Sequence, residues 1–139
     1  MIIWKSQYDT KIKKIDNQHK ELVNILNLIS DEKLINMTDE IFADVVDRIL
    51  KYTNYHFSTE EEIMRKYDYQ SIDHHIKEHK EFIKSIDDLI RKSKSIKIVL
   101  LSGLGNYIKT WIINHVLGVD MELAEYLISI GAEELYEGD

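Results

Sequence analysis

Proline is absent from this chain of 139 residues, and glycine occurs only five times. Proline interrupts helices because it lacks a backbone N–H, and both residues are the usual markers of turns. A chain with so few of them favours long helices over a β fold, which needs frequent turns. The length is that of one domain, so we predict that residues 1–139 form a single domain around one core.

Apolar side chains recur at three- and four-residue steps along most of the chain, which is the helical period. They predict helices over about 17–36, about 39–66, from near Ser71 to the 91–95 stretch, and from near Ile96 to about Leu117. Thr38 or Asp39 can cap the second helix. Short polar turns join these segments, and a short amphipathic helix follows Gly118. The predicted fold is therefore all-α, an antiparallel up-down-up-down four-helix bundle with a short C-terminal helix.

The overall charge and the missing cysteines exclude several classes of function. The net charge is −7 without a basic block, so neither nucleic acid nor an anionic membrane is an expected partner. No apolar run approaches the ~18 residues of a membrane span, and the N-terminus does not resemble a signal peptide. The absence of cysteine excludes thiolate ligands and fits a reducing compartment, so we expect a cytoplasmic protein.

Three of the six histidines lie in the stretch "HHIKEH" at positions 74–79, which offers two helical pairs of metal ligands. One is His74 with Glu78, and the other is His75 with His79. At ~100° per residue, His75 and His79 fall inside the apolar arc of the third helix. His74 points ~100° or more away, and Glu78 also lies outside the arc. We therefore predict that His75 and His79 face the core and that the other pair is solvated.

Each predicted helix places at least one titratable side chain on its apolar face. These residues are His19 in the first helix, His56 and Glu60 in the second, His75 and His79 in the third, and His115 in the fourth. A single buried histidine is usually a core residue with one hydrogen-bond partner. Burying five imidazoles and a carboxylate without strong partners costs on the order of several kcal/mol. A bound metal removes this cost because it takes the nitrogen lone pairs and neutralises the carboxylate.

The number of imidazoles bears on the kind of metal centre. Five exceed what one four-coordinate zinc ion can take, and imidazole with carboxylate suits iron. Two ions would need a second carboxylate near the fourth helix, and Asp120 is the candidate. Asp120 follows His115 by five residues, about 140° around an ideal helix. The helix must therefore end or distort near Gly118, as a π-bulge would allow.

Four segments of the sequence resemble the hemerythrin family, most closely its bacterial members, the bacteriohemerythrins. The segments are "IDNQHKEL" (15–22), "HFSTEEEIM" (56–64), "HHIKEHKEF" (74–82) and "WIINHVLGVD" (111–120), so that the resemblance covers nearly the whole chain. It implies two iron ions bridged by an oxo or hydroxo group and by Glu60 and Asp120. It further implies that one iron has three histidine ligands, His75, His79 and His115, and that the other has two, His19 and His56.

The function that the resemblance implies is reversible binding of dioxygen, for storage, delivery or scavenging, rather than enzymatic turnover. Dioxygen would bind at the iron with two histidines, which keeps an open position. We expect Phe57, Trp111, Ile112 and Val116 to line a dry oxygen pocket, with Leu22 or Leu26 from the first helix. Three alternatives stay open: an oxygen or redox sensor that acts through an unknown protein partner, a diiron peroxidase or nitric-oxide-handling enzyme, and a protein for metal storage.

Overall fold

The computed structural model describes residues 2–28, 36–92 and 105–132, and within these ranges it contains helices and no strand. A 3₁₀ turn, Ser6–Tyr8, comes first. The helices that follow are α1 Lys13–Leu26, α2 Asp39–Lys66, α3 Ile72–Lys92, α4 Gly105–His115 and, after a π-helical turn Val116–Asp120, α5 Met121–Ser129. The predicted all-α class, with four main helices and a short C-terminal helix, is confirmed.

Contacts between successive helices show that they run antiparallel. Gln18 near the start of α1 donates to the Thr59 hydroxyl in the second half of α2, at 3.2 Å. Glu61 near the end of α2 lies 3.0 Å from His79 near the start of α3. The same His79 lies 3.1 Å from His115, the last residue of α4. Each helix thus returns alongside the preceding one, as in an up-down-up-down bundle.

Helix α1 begins earlier than the periodicity predicts, at Lys13 rather than near residue 17. The buried Asp16 carboxylate explains the early start, because it accepts hydrogen bonds from the backbone N–H groups of Thr10 (2.8 Å) and Lys11 (3.2 Å). These bonds fix the chain just before the first turn of the helix. A negative charge at this end also interacts favourably with the helix dipole. Helix α1 ends at Leu26, short of the predicted end at 36, and residues 29–35 lie outside the described residues.

The other helix boundaries agree more closely with the periodicity. The Thr38 hydroxyl accepts from the Ile41 N–H at 3.2 Å, so the residue that caps α2 is Thr38. Helix α3 begins directly after Ser71. The predicted start of the fourth helix near Ile96 lies outside the described residues, whose last segment opens at 105.

The buried apolar residues form two separate clusters. The large cluster comprises Tyr8, Ile25, Leu26, Phe42, Val45, Val46, Ile49, Phe57, Phe82, Ile86, Ile108, Ile112 and Val116. The small cluster comprises Ile12, Ile15, Ile63, Met64, Tyr69, Leu123, Ala124, Leu127 and Ala132, and it includes the buried face of α5.

Polar residues occupy the level between the two clusters. Along α1, His19 lies between Ile15 of the small cluster and Ile25 of the large one. Along α2, Glu60 lies between Phe57 of the large cluster and Ile63 of the small one. The bundle therefore holds a buried polar layer with apolar packing above and below it. None of the described helices is long and apolar enough to span a membrane.

Candidate metal centre

The buried polar layer contains seven side chains that can bind a metal. The helices α1 to α4 and the π-helical turn contribute them: His19, His56, Glu60, His75, His79, His115 and Asp120. Each of the seven is exposed by 3% or less. These are the seven residues that the sequence singles out as candidate ligands, and the fold brings all of them together.

Asp120 reaches this layer because the helix widens after His115. Residues Val116–Asp120 form a π-helical turn, in which hydrogen bonds join residues five apart. In an ideal α-helix, residues five apart point about 140° away from each other. Here Asp120 Oδ1 lies 3.0 Å from His115 Nε2. The distortion predicted near Gly118 is confirmed, and it is what turns Asp120 inward.

The seven side chains divide into two groups that share both carboxylates. The three-histidine group contains His75, His79 and His115, and the two-histidine group contains His19 and His56. Glu60 and Asp120 belong to both groups, and within each group the candidate ligand atoms all lie within 4.8 Å of one another. The arrangement therefore offers two adjacent metal positions rather than one.

Asp120 turns one oxygen toward each group. Its Oδ2 lies 2.8 Å from His19 Nε2 in the two-histidine group. Its Oδ1 lies 3.0 Å from His75 Nε2 and 3.0 Å from His115 Nε2 in the three-histidine group. A carboxylate placed in this way can bind one ion through each oxygen.

Glu60 lies between the same groups. Its Oε1 is 3.2 Å from His56 Nε2 on one side and 3.3 Å from His79 Nε2 on the other. Both oxygens of Glu60 are buried without a hydrogen-bond partner, as are Asp120 Oδ1 and His75 Nε2. Buried acceptors without donors are costly, and a cation between them would satisfy them.

The spacing of the ring nitrogens also fits metal ions. The Nε2 atoms of His19 and His56 lie 3.1 Å apart, and so do those of His79 and His115. Bonds from metal ions to nitrogen or oxygen are about 2.0–2.2 Å long, so two ligands at right angles lie about 3 Å apart. By donor chemistry and by spacing, the residues present fit two metal ions with imidazole and carboxylate ligands.

Three of the imidazoles are held from outside through their Nδ1 atoms. His56 Nδ1 lies 2.7 Å from Gln18 Oε1, His79 Nδ1 lies 3.0 Å from Glu61 Oε2, and His115 Nδ1 lies 3.2 Å from Glu78 Oε1. An Nδ1–H that donates to such an oxygen leaves the Nε2 lone pair free to point into the cluster. Each of these contacts selects the tautomer that a metal needs.

The prediction that Glu78 is solvated is wrong, and Glu61 is engaged in the same way. Their side chains are only 21% and 30% exposed, because each reaches across to an imidazole of a neighbouring helix. Helical phase places both outside the apolar arc, but a long side chain at the edge of the arc can still reach inward. The only sequence signal is position, since Glu61 follows Glu60 and Glu78 precedes His79.

His74 is the histidine that the cluster leaves out. Its side chain is 67% exposed, which confirms the prediction from helical phase. Its Nε2 lies 3.2 Å from Glu78 Oε2, the oxygen that does not face His115. His74 therefore contacts the outer support of the cluster and not the cluster itself.

The two shared carboxylates change the protonation of the imidazoles around them. Burial lowers the pKa of His56 and of His75, but the nearby negative charges of Glu60 and Asp120 outweigh it and raise both pKa values to about 9. Burial raises the pKa of Asp120, but the charge of His115 and hydrogen bonds hold it well below its usual range. The metal-free cluster therefore holds protons that metal ions would displace.

Aromatic rings cover the three-histidine group on its large-cluster side. Phe57 stacks on His79, with ring centroids 3.8 Å apart and planes 5° apart, and it lies 6.2 Å from His56. Trp111 stacks on His115 at 4.6 Å and 13°. The other two residues predicted to line a pocket, Ile112 and Val116, are buried in the large cluster that contains Phe57.

Comparison with known proteins gives matches over most of the chain. Residues 10–127 match the family model described as the hemerythrin HHE cation binding domain. A bacteriohemerythrin of Clostridium acetobutylicum is 30% identical over 127 residues, which cover 88% of this chain and 98% of that protein. A bacteriohemerythrin of Pseudomonas paraeruginosa is 31% identical, covering 86% and 76% respectively. A myohemerythrin of Theromyzon tessulatum is 25% identical, covering 86% and 88%.

Proposed function

Because this chain belongs to the hemerythrin family, we propose that it binds dioxygen reversibly at a non-haem centre of two iron ions. His75, His79 and His115 would hold one iron, and His19 and His56 the other. Glu60 and Asp120 would bridge the two ions together with an oxo or hydroxo group. When bound, the iron pair supplies electrons to dioxygen and recovers them on release.

The observation that carries this proposal is the unequal sharing of one buried cluster. Two carboxylates are common to both groups, while the imidazoles divide three to two. One metal position is therefore one protein ligand short, and an open position is what a small-molecule ligand needs. The two-histidine group is thus the proposed side for dioxygen.

The surrounding side chains support a binding role because they are apolar and would keep water away from the centre. Phe57, Ile112 and Val116 are buried, and together with Trp111 they form an apolar wall on the large-cluster side of the centre, where Phe57 lies 6.2 Å from His56 of the two-histidine group. Leu26, buried in the same cluster, extends this wall from α1, and Leu22 is buried as well.

The surroundings of the cluster favour binding of dioxygen over enzymatic turnover. An enzyme at this centre would need a group free to give or take a proton. The acidic residues next to the cluster, Glu61 and Glu78, are already engaged with the imidazoles of His79 and His115. We therefore propose storage, delivery or scavenging of dioxygen by residues 1–139 acting as one hemerythrin-like domain. The absence of cysteine fits a cytoplasmic location.

Iron analysis combined with absorption spectroscopy tests the proposal. The protein is purified, its iron is counted, and its visible spectrum is followed while it is cycled between air and an oxygen-free buffer. We expect two irons per chain and a charge-transfer absorption that appears with oxygen and disappears without it over repeated cycles. A Glu62→Gln variant, changed at an exposed neighbour of the cluster, serves as the control. Fewer than two irons, or irreversible bleaching in air, would contradict oxygen carriage.

A further inference from the structure

The two histidine groups differ in the residues that support them from outside. In the three-histidine group, His79 and His115 face the carboxylates of Glu61 and Glu78 through Nδ1. In the two-histidine group, the corresponding contact of His56 is to the neutral amide of Gln18. The two metal positions therefore differ in the charge of their outer support as well as in ligand number.

This difference in charge acts on the metal through the imidazole ring. A carboxylate that accepts the Nδ1–H bond makes the ring a better electron donor at Nε2 and fixes its orientation. A hydrogen bond to a charged acceptor is roughly twice as strong as one to a neutral acceptor. Glu61 and Glu78 should therefore strengthen metal binding by His79 and His115 more than Gln18 strengthens binding by His56.

The remaining imidazoles do not cancel this asymmetry. The Nδ1 atoms of His19 and His75, one in each group, are buried without a hydrogen-bond partner among the described residues. The two shared carboxylates serve both groups equally in number. What distinguishes the groups is one extra imidazole and two anionic supports, and both favour the three-histidine group.

We propose that the three-histidine group takes up the first metal ion, that the two-histidine group fills second, and that Glu61 and Glu78 create much of the gap between the two affinities. The proposal rests on the two-ion centre proposed above. It assigns Glu61 and Glu78 the role of positioning residues, which act on the metal through His79 and His115. In this order, the metal position with the open coordination site, at the two-histidine group, would be filled last.

A titration of the metal-free protein with ferrous ion alone, without oxygen and against a competing chelator, measures the two affinities. We expect one tight and one weaker class of site in the unmodified protein. His115→Ala should remove the tight class, and His19→Ala should remove the weaker one. The Mössbauer spectrum of protein loaded with one equivalent of iron should show mainly a single iron environment.

Substitution of the supports then tests their role. Glu61→Gln and Glu78→Gln keep the shape of the side chain and remove its charge, and each should weaken the tight class about 10- to 100-fold. The weaker class should stay within the error of the measurement. Gln18→Glu is the reciprocal change and should strengthen the weaker class.

Glu62→Gln and Glu81→Gln, at exposed positions on the same two helices, are matched controls that should change neither class. Circular dichroism verifies that each variant is folded.

The outcomes separate this inference from the proposed function. If the unmodified protein binds two irons and shows the reversible oxygen-dependent absorption, yet Glu61→Gln and Glu78→Gln weaken both classes equally or neither, the inference is overturned while the proposed function stands. Equal affinities of the two positions in the unmodified protein would overturn it as well. If two irons do not bind at all, the proposed function fails first, and the inference fails with it.

Discussion

The two histidine groups share Glu60 and Asp120, yet the fold surrounds them differently. The three-histidine group comes from α3 and α4, and two of its imidazoles are covered by stacked aromatic rings and supported by carboxylates. The two-histidine group comes from α1 and α2 and has one neutral amide as support. Trp4, with its ring centroid 6.4 Å from that of His19, is tilted by 34° rather than stacked. Residues that are not candidate ligands therefore give the two histidine groups different surroundings.

Removing a shared carboxylate should weaken metal binding at both groups, because each group uses it. We expect Asp120→Asn to bind fewer than two ions and to lose the oxygen-dependent absorption, since Asp120 turns one oxygen toward each group. Iron analysis with ferrous titration measures this. Asp87→Asn, on the surface pair with Arg91, is the control. Retention of two tightly bound ions by Asp120→Asn would contradict the bridging role.

Removing an aromatic cover should affect one group more than the other. Phe57→Ala should lower the free energy of unfolding of the metal-free protein by about 3–5 kcal/mol, because it empties a buried site. It should also weaken the tight class of metal site, because the ring of Phe57 stacks on His79. Phe42→Ala, equally buried in the large cluster, should cost similar stability without that change in affinity. Urea unfolding and ferrous titration compare the two, and an equal change in affinity would argue against a role for the stack.

A rise in pH should lower the stability of the metal-free protein and raise its affinity for metal ions. In the metal-free protein the folded pKa values of His56 and His75, about 9, lie above the ordinary value of 6.5. Their protons therefore stabilise the fold fully below pH 6.5, and this stabilisation is lost as the pH rises through about 9. Metal affinity should rise over the same window, because fewer protons then compete for the imidazoles.

Melting temperatures of the metal-free protein and ferrous affinities, measured from pH 6 to 9.5, test these opposite trends. A His56→Gln variant should show a smaller loss of stability over the window than the unmodified protein. A melting temperature that rises with pH in the metal-free protein would contradict the assignment of these protons to the cluster.

The smallest effect is expected at the excluded histidine. His74→Ala should leave the iron content and the oxygen-dependent spectrum unchanged, because His74 is mostly exposed and contacts Glu78 at the oxygen that does not face His115. His75→Ala, one position along, should lose iron from the three-histidine group. Equal losses in the two variants would mean that helical phase does not separate them in function.

The sequence alone predicts the helices and the direction of most side chains. The 3.6-residue period separates His75 and His79 from His74, and it places His19, His56, Glu60 and His115 on buried faces. The same period predicts where α1 begins only to within four residues, because the early start depends on Asp16 and its contacts with Thr10 and Lys11. The apolar pattern predicts well which side chains are buried, but it does not predict which backbone groups a side chain will bind.

Helical phase along single helices thus determined which residues face the interior, and the sequence motifs indicated the family. The need for a distorted turn before Asp120 was visible in the spacing, but only the tertiary structure decided that it is a π-helical turn that sends one carboxylate oxygen to each group. The structure also decided that Glu61 and Glu78 support His79 and His115. The physical reason is that phase is a property of one helix, whereas these contacts depend on the distance and rotation between neighbouring helices, which packing of the whole bundle sets.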